Sequence, residues 1–206
     1  MNMHAAPPAV VRSTYDNQLD VIDAIISLHA PDGFDCDLTF GGGMFWKRHP
    51  RPRFCYDLDP QQPGVVEACS MKIPHGDGDL GNIMFDPPFL TYVREKRTGN
   101  GAMVMSKRFS GYWRYDELAA HYLATFREAS RVMRRGAVFV IKCQDIVHNH
   151  SLHPTHINAV SWAASVGLRL KDLFVLTASH RMPSPNRTER AHRSTRASFI
   201  PIFSFS

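Results

Sequence analysis

Apolar positions recur along the chain in two alternating rhythms. Between Asp16 and His29, the residues Leu19, Val21, Ile22, Ile25, Ile26 and Leu28 fall at roughly helical spacing, and Pro31-Asp32-Gly33 ends the run. Phe34 to Phe40 then reads as a short strand closed by Gly41-Gly42-Gly43. Arg53 to Leu58 and Asn82 to Phe85 read as two more, the second ending at Asp86-Pro87-Pro88. The spacing predicts the clearest helix over Tyr115 to Arg134. Leu118, Tyr122, Phe126, Ala129 and Met133 share one face there, three arginines crowd the last turn and Gly136 stops it. Ala137 to Lys142 is a continuous apolar strand of the type buried on both faces. Thr155 can cap a helix running to Val166, with Gly167 at its end. Lys171 to Thr177 and Ala197 to Phe205 are late strands.

Strands alternating with helices predict a doubly wound, mostly parallel α/β sheet, and the two last strands predict a C-terminal antiparallel hairpin. Residues 1–14, with Ala5-Ala6-Pro7-Pro8, read as a loose arm, and 15–206 as a single domain. In such sheets ligands bind at the carboxyl ends of the strands. The polar punctuation lies at those ends: Gly41 to Gly43, Asp57 to Asp59, Asp86 to Phe89, and Cys143 to Asp145.

Composition narrows the classes without choosing among them. At 206 residues with 44% hydrophobic content, the chain is neither disordered nor membrane-spanning, since no apolar run approaches ~18 residues. The four cysteines form no CxxC pair, which argues against a zinc ribbon or disulfide scaffold and for a reduced, cytoplasmic setting. A net charge of +5 suits a polyanionic partner, though many basic proteins bind none. His148, His150, His153 and His156 are irregularly spaced, with no cysteine or carboxylate set to complete a zinc site, so no metal is expected.

Asp86-Pro87-Pro88-Phe89 is the most informative tetrapeptide. Its prolines fix φ and offer no N–H, so a carboxylate, a carbonyl and an aromatic ring can converge on one spot. That set accepts two hydrogen bonds from an exocyclic amino group and stacks on a flat base. A plain strand-ending turn accounts for it equally well. The run Asp37-Leu38-Thr39-Phe40-Gly41-Gly42-Gly43 allows a ligand close to the backbone, or is only a tight turn. Asp57 and Asp59 close the second strand, where a ribose finds a hydroxyl acceptor, or form an exposed acidic turn.

The order of these three pieces resembles the S-adenosylmethionine-dependent amino-methyltransferases, which methylate adenine N6 or cytosine N4, usually in DNA. Asp37, Phe40, Gly41 and Gly43 match their motif I, Asp57 and Asp59 their motif II, and Asp86 to Phe89 their motif IV. Over Tyr15 to Phe203 the chain is similar to small phage and prophage methylases. Gln18-Leu19-Asp20-Val21, Lys142-Cys143-Gln144-Asp145 and Thr155-His156 carry that closer likeness.

The resemblance implies a Rossmann-like methyltransferase fold and S-adenosyl-L-methionine as cofactor. It implies cofactor contacts from Asp37, Thr39, Phe40, Gly41, Gly43, Asp57 and Asp59, and a catalytic set of Asp86, Pro87, Pro88 and Phe89. Asp at the head of motif IV favours adenine N6. Cytosine N4, an RNA base, and a catalytically silent nucleic-acid-binding subunit remain alternatives.

Three departures stand out. The helix after motif I must be short, about Gly43 to Lys47. Ala68-Cys69-Ser70 replaces an acidic residue for the adenine, with Asp77 or Asp79 as substitutes. Pro201 suggests a bulge in a strand that the family places inside the sheet. Basic and aromatic residues interleave in Leu90 to Trp113, where Lys107, Arg108 and Phe109 are candidate substrate contacts, and Arg181 to Arg196 adds five arginines. A large reading domain is not expected, which suggests a short or relaxed target sequence or help from a second subunit, with a homodimer as the candidate.

Overall fold

A computed structural model describes residues 11–89, 114–148, 151–177 and 197–205. The strands are β1 (Thr14–Tyr15), β2 (Cys36–Asp37), β3 (Phe54–Asp57), β4 (Val66–Glu67), β5 (Ile83–Phe85) and β6 (Val138–Ile141). They continue with β7 (Cys143–Gln144), β8 (Ile146–His148), β9 (Ser151–His153), β10 (Leu168–Thr177) and β11 (Ala197–Phe205). The helices are α1 (Gln18–His29), α2 (Tyr115–Val132) and α3 (Thr155–Ser165).

The main sheet runs β1-β10-β11-β6-β5-β2-β3-β4, with β7 also paired to β11. From β2 the chain moves one way to β3 and β4, and the other way to β5 and β6, all in parallel register. The carboxyl ends of β2 and β5 therefore form the topological switch point, the place where open α/β sheets bind ligands. β10 and β11 form the expected antiparallel hairpin. Thr14, at the end of the expected arm, pairs with Val175 at the sheet edge.

Side-chain alternation explains the three layers. Ile83, Phe85, Phe139 and Ile141 pack on α2 and α3, whereas Met84, Val138 and Val140 face α1 and the turn after β2. On α2 the predicted face is buried at Leu118, Tyr122, Phe126 and Ala129. The helix stops before Arg134 because Met133 turns extended, bridges Leu80, and lets Arg134 N–H donate to the Leu80 carbonyl at 2.8 Å. α1 starts at Gln18 rather than Asp16, because Asn17 Oδ1 accepts the Leu19 N–H at 2.9 Å.

Two local expectations change. Thr155 is the first residue of α3 and not its cap; Pro154 holds that position, and the buried Thr155 hydroxyl has no partner among the described residues. The register shift in the hairpin falls between Leu170 and Asp172, not at Pro201. Pro201 instead sits where β11 passes from β7 to β6, with the register unchanged on either side. Its missing N–H is tolerated at that break in the ladder. Among the described residues no helix is long and apolar enough to cross a membrane.

Candidate active site

The glycine turn follows β2 directly. Gly41 and Gly43 have φ of +51° and +68°, a region that disfavours any side chain. A Cβ on Gly43 would lie 2.8 Å from Phe40 Cζ, so the turn closes over the Phe40 ring. The Arg51 guanidinium covers that ring, 4.4 Å from its centroid. The expected short helix is a single 3-10 turn, Met44–Trp46, whose Phe45 and Trp46 are buried. Trp46 serves packing and polar satisfaction: its Nε1–H donates to Asp37 Oδ2 at 2.7 Å.

Asp37 is only 1% exposed, and its Oδ1 accepts the Thr39 N–H at 2.9 Å. Burial pushes its carboxyl up to about 7. The two hydrogen bonds oppose the rise, while the neighbouring charges of Asp86 and Asp57 add to it. Asp57 fastens the second strand to the glycine turn. Its Oδ2 accepts the Gly41 N–H at 2.8 Å and its Oδ1 the Asp59 N–H at 3.0 Å.

Asp86 leaves β5 at the centre of this arrangement. Its backbone N–H donates to Thr39 Oγ1 at 2.7 Å, tying motif IV to motif I. Burial raises its carboxyl pKa, and Lys142 counters the rise from 3.4 Å. A quarter of the Asp86 side chain remains exposed, so the carboxylate is reachable from solvent. Pro87 is buried, and Pro88 and Phe89 are partly so. Asp37, Thr39, Phe40, Gly41, Gly43, Asp57 and Asp86 to Phe89 thus gather at one sheet end. Asp59 has its backbone bound to Asp57. Lys107, Arg108 and Phe109 lie outside the described residues, as does Arg181 to Arg196.

The acidic strand ends fit S-adenosylmethionine by charge. Three carboxylates crowd one end of the sheet, and their mutual repulsion is relieved by a cationic ligand such as a sulfonium. Each bonded Asp57 oxygen keeps a second lone pair for a ribose hydroxyl. Asp77 and Asp79 have partners of their own. Asp77 pairs with Arg131 beyond the far end of α2, and Asp79 accepts the Gly76 N–H. Ser70 is spent on His121 and Thr125, at 2.7 and 2.9 Å. Among the described residues no group of three or more His, Cys, Asp or Glu side chains could hold a metal ion.

The sequence assigns Lys142 no role, and His156 either helix structure or a polar place on the substrate face. Lys142 directly follows the apolar strand β6, and its Nζ donates to Gln18 Oε1 at 2.9 Å as well as facing Asp86. A charge closing a strand buried on both faces was the available signal. His156 Nδ1–H donates to Asp145 Oδ1 at 2.6 Å, and its ring stacks on Phe199 at 4.0 Å.

No family model matches the chain, and no curated protein matches it. Solved structures do match. A candidate sarcosine dimethylglycine methyltransferase from Galdieria sulphuraria is 12% identical, with a TM-score of 0.54 over 91% of this chain and 84% of that one. A candidate methyltransferase from Bacillus halodurans is 11% identical, with a TM-score of 0.51 over 89% and 97%. A candidate DNA modification methylase from Thermus thermophilus, solved with S-adenosyl-L-methionine, is 13% identical, with a TM-score of 0.45 over 67% and 53%. The chain therefore spans about half the length of that Thermus protein. The fold is the Rossmann-like one of S-adenosylmethionine-dependent methyltransferases.

Proposed function

We propose that the chain transfers a methyl group from S-adenosylmethionine to the exocyclic amino group of a base in DNA, with adenine N6 favoured. The observation that carries this reading is the Asp86 carboxylate. The Asp86 N–H is tied to the Thr39 hydroxyl at the switch point, and a quarter of the side chain is exposed.

A base amino group is a poor nucleophile, because its lone pair is delocalised into the ring. Asp86 Oδ and the Pro87 carbonyl accept its two N–H groups and aim the lone pair. Asp86 also stabilises the positive charge that grows on the nitrogen. Phe89 stacks on the base. S-adenosylmethionine, when bound, supplies an electrophilic methyl carbon on sulfur, which keeps the bonding electrons. Gly41, Gly43 and Asp57 hold the cofactor's methionine and ribose portions, and Thr39 couples that half of the site to Asp86. Most of the acceleration comes from aligning the two substrates. A duplex target must flip out of its stack, at a cost of a few kcal/mol that pocket contacts offset. The basic and aromatic content of Leu90 to Trp113 and Arg181 to Arg196 supports a phosphate-bearing substrate.

The test is methyl transfer from labelled cofactor to DNA by the whole chain and by Asp86→Ala. Loss of about 100-fold or more in rate is expected, the scale of removing one preorganised partner from a site. Undiminished transfer by the variant would refute the assignment.

A further inference from the structure

From the geometry around the end of β6, we infer that Lys142, braced by Gln18, is a positioning residue that holds Asp86 as an ionised hydrogen-bond acceptor for the target amino group. This inference rests on the proposed function and deepens it.

The Lys142 side chain is 13% exposed, and its ammonium meets four residues at once. It lies 3.4 Å from Asp86 Oδ2 and 2.9 Å from Gln18 Oε1, in the first turn of α1. The Phe45 and Phe89 rings approach it at 5.2 and 5.5 Å from their centroids, one from the cofactor turn and one from motif IV. Its backbone is fixed too, because the Lys142 N–H donates to the Phe85 carbonyl at 2.9 Å, one residue before Asp86. Such a cation is held in place rather than free to swing. Two aromatic faces and one amide oxygen support its charge without neutralising it.

The chemistry requires a charge there. A proton on Asp86 Oδ1 would turn that acceptor into an O–H donor facing an amino group that also donates, and that contact would be lost. Among the described residues, burial and the nearby Asp37 carboxyl favour that protonated form. Burial raises its pKa. Asp37, at the end of β2, interacts with it as a like charge. Tyr122 on α2 and Cys143 on β7 are neutral, and both are held far from ionising by burial with Asp86 as an added cause. Among the described residues, Lys142 alone lowers the Asp86 pKa, by charge and by hydrogen bond. Because the ammonium lies on the Oδ2 side, Oδ1 is assigned to the base.

The experiment is carboxyl NMR of the full chain with 13C-labelled aspartate, using Asp86→Asn to assign the signal. In Lys142→Met the Asp86 midpoint is expected to rise by about one pH unit or more, a tenfold change in proton affinity. Lys142→Arg keeps the charge and is expected to leave the midpoint near the wild-type value. Lys142→Gln serves where the Met variant does not fold. The acid limb of the methyl-transfer rate should move up with the carboxyl midpoint, while S-adenosylmethionine affinity stays within about threefold.

A midpoint unmoved in both uncharged variants would overturn the inference. So would a large loss of cofactor affinity with an unmoved midpoint, which would assign the ammonium to the cofactor's carboxylate. A wild-type chain that transfers no methyl group would refute the proposed function, yet the carboxyl titration would still decide the role of Lys142.

Discussion

Adding one methyl group at Gly43 separates two costs that the glycine turn combines. Gly43 has φ of +68°, and a new Cβ would meet Phe40 Cζ at 2.8 Å and Cε1 at 2.9 Å. The ring has little freedom to retreat. It is 8% exposed and carries the Arg51 guanidinium, which is anchored on the Pro63 carbonyl at 2.8 Å and Cys55 Sγ at 3.2 Å. Gly41 is the internal control: its φ is +51°, and its nearest atom to a new Cβ is the Thr39 carbonyl oxygen at 3.9 Å. Gly41→Ala therefore suffers only the left-handed backbone, about 1–2 kcal/mol. Gly43→Ala suffers that and overpacking of about 1–3 kcal/mol. With a urea m-value of about 2 kcal/mol/M, Gly43→Ala should unfold at roughly 0.5–1.5 M less urea than Gly41→Ala. Tryptophan fluorescence reports the transition, because Trp46 is buried beside the turn. Phe40→Leu in the Gly43→Ala background should recover part of the loss. Equal midpoints for the two alanine variants would refute the packing argument.

Asp37→Asn tests the buried acid through pH. Asp37's folded pKa is raised to about 7 from 3.8, so the wild type should lose stability as pH rises through that window and then level off. The difference from Asp37→Asn should change by at most about 4 kcal/mol between pH 4 and pH 7 in denaturant titrations, and a flat difference would contradict the assigned burial. Asp57→Ala should weaken S-adenosylmethionine binding about tenfold by calorimetry, the scale of one hydrogen bond to a charged group, with little change in target preference.

Much of the site was legible because its parts are local. Gly41 and Gly43 follow a strand, Asp57 ends one, and Asp86-Pro87-Pro88-Phe89 ends another, so each can be placed from its neighbours alone. α2 was legible for the same reason, since its buried face repeats every three or four residues. What escaped were partnerships across the fold. Lys142 meets Asp86 across 56 positions and Gln18 across 124, and no sequence period links them. The pairing of Trp46 with Asp37 needed the path of the turn. β1 and β4 have two residues each, too few for any alternation to register. Thr155 has the chemistry of a cap, but tertiary packing buried it one position late.

The most direct test of the central claim is mass spectrometry of nucleosides from DNA and RNA incubated with the whole chain and S-adenosylmethionine. N6-methyladenine is predicted in DNA, and Asp86→Ala is predicted to abolish it. Methylation that survives in the Asp86→Ala variant, or unmodified bases from a wild-type chain that binds the cofactor, would contradict the account.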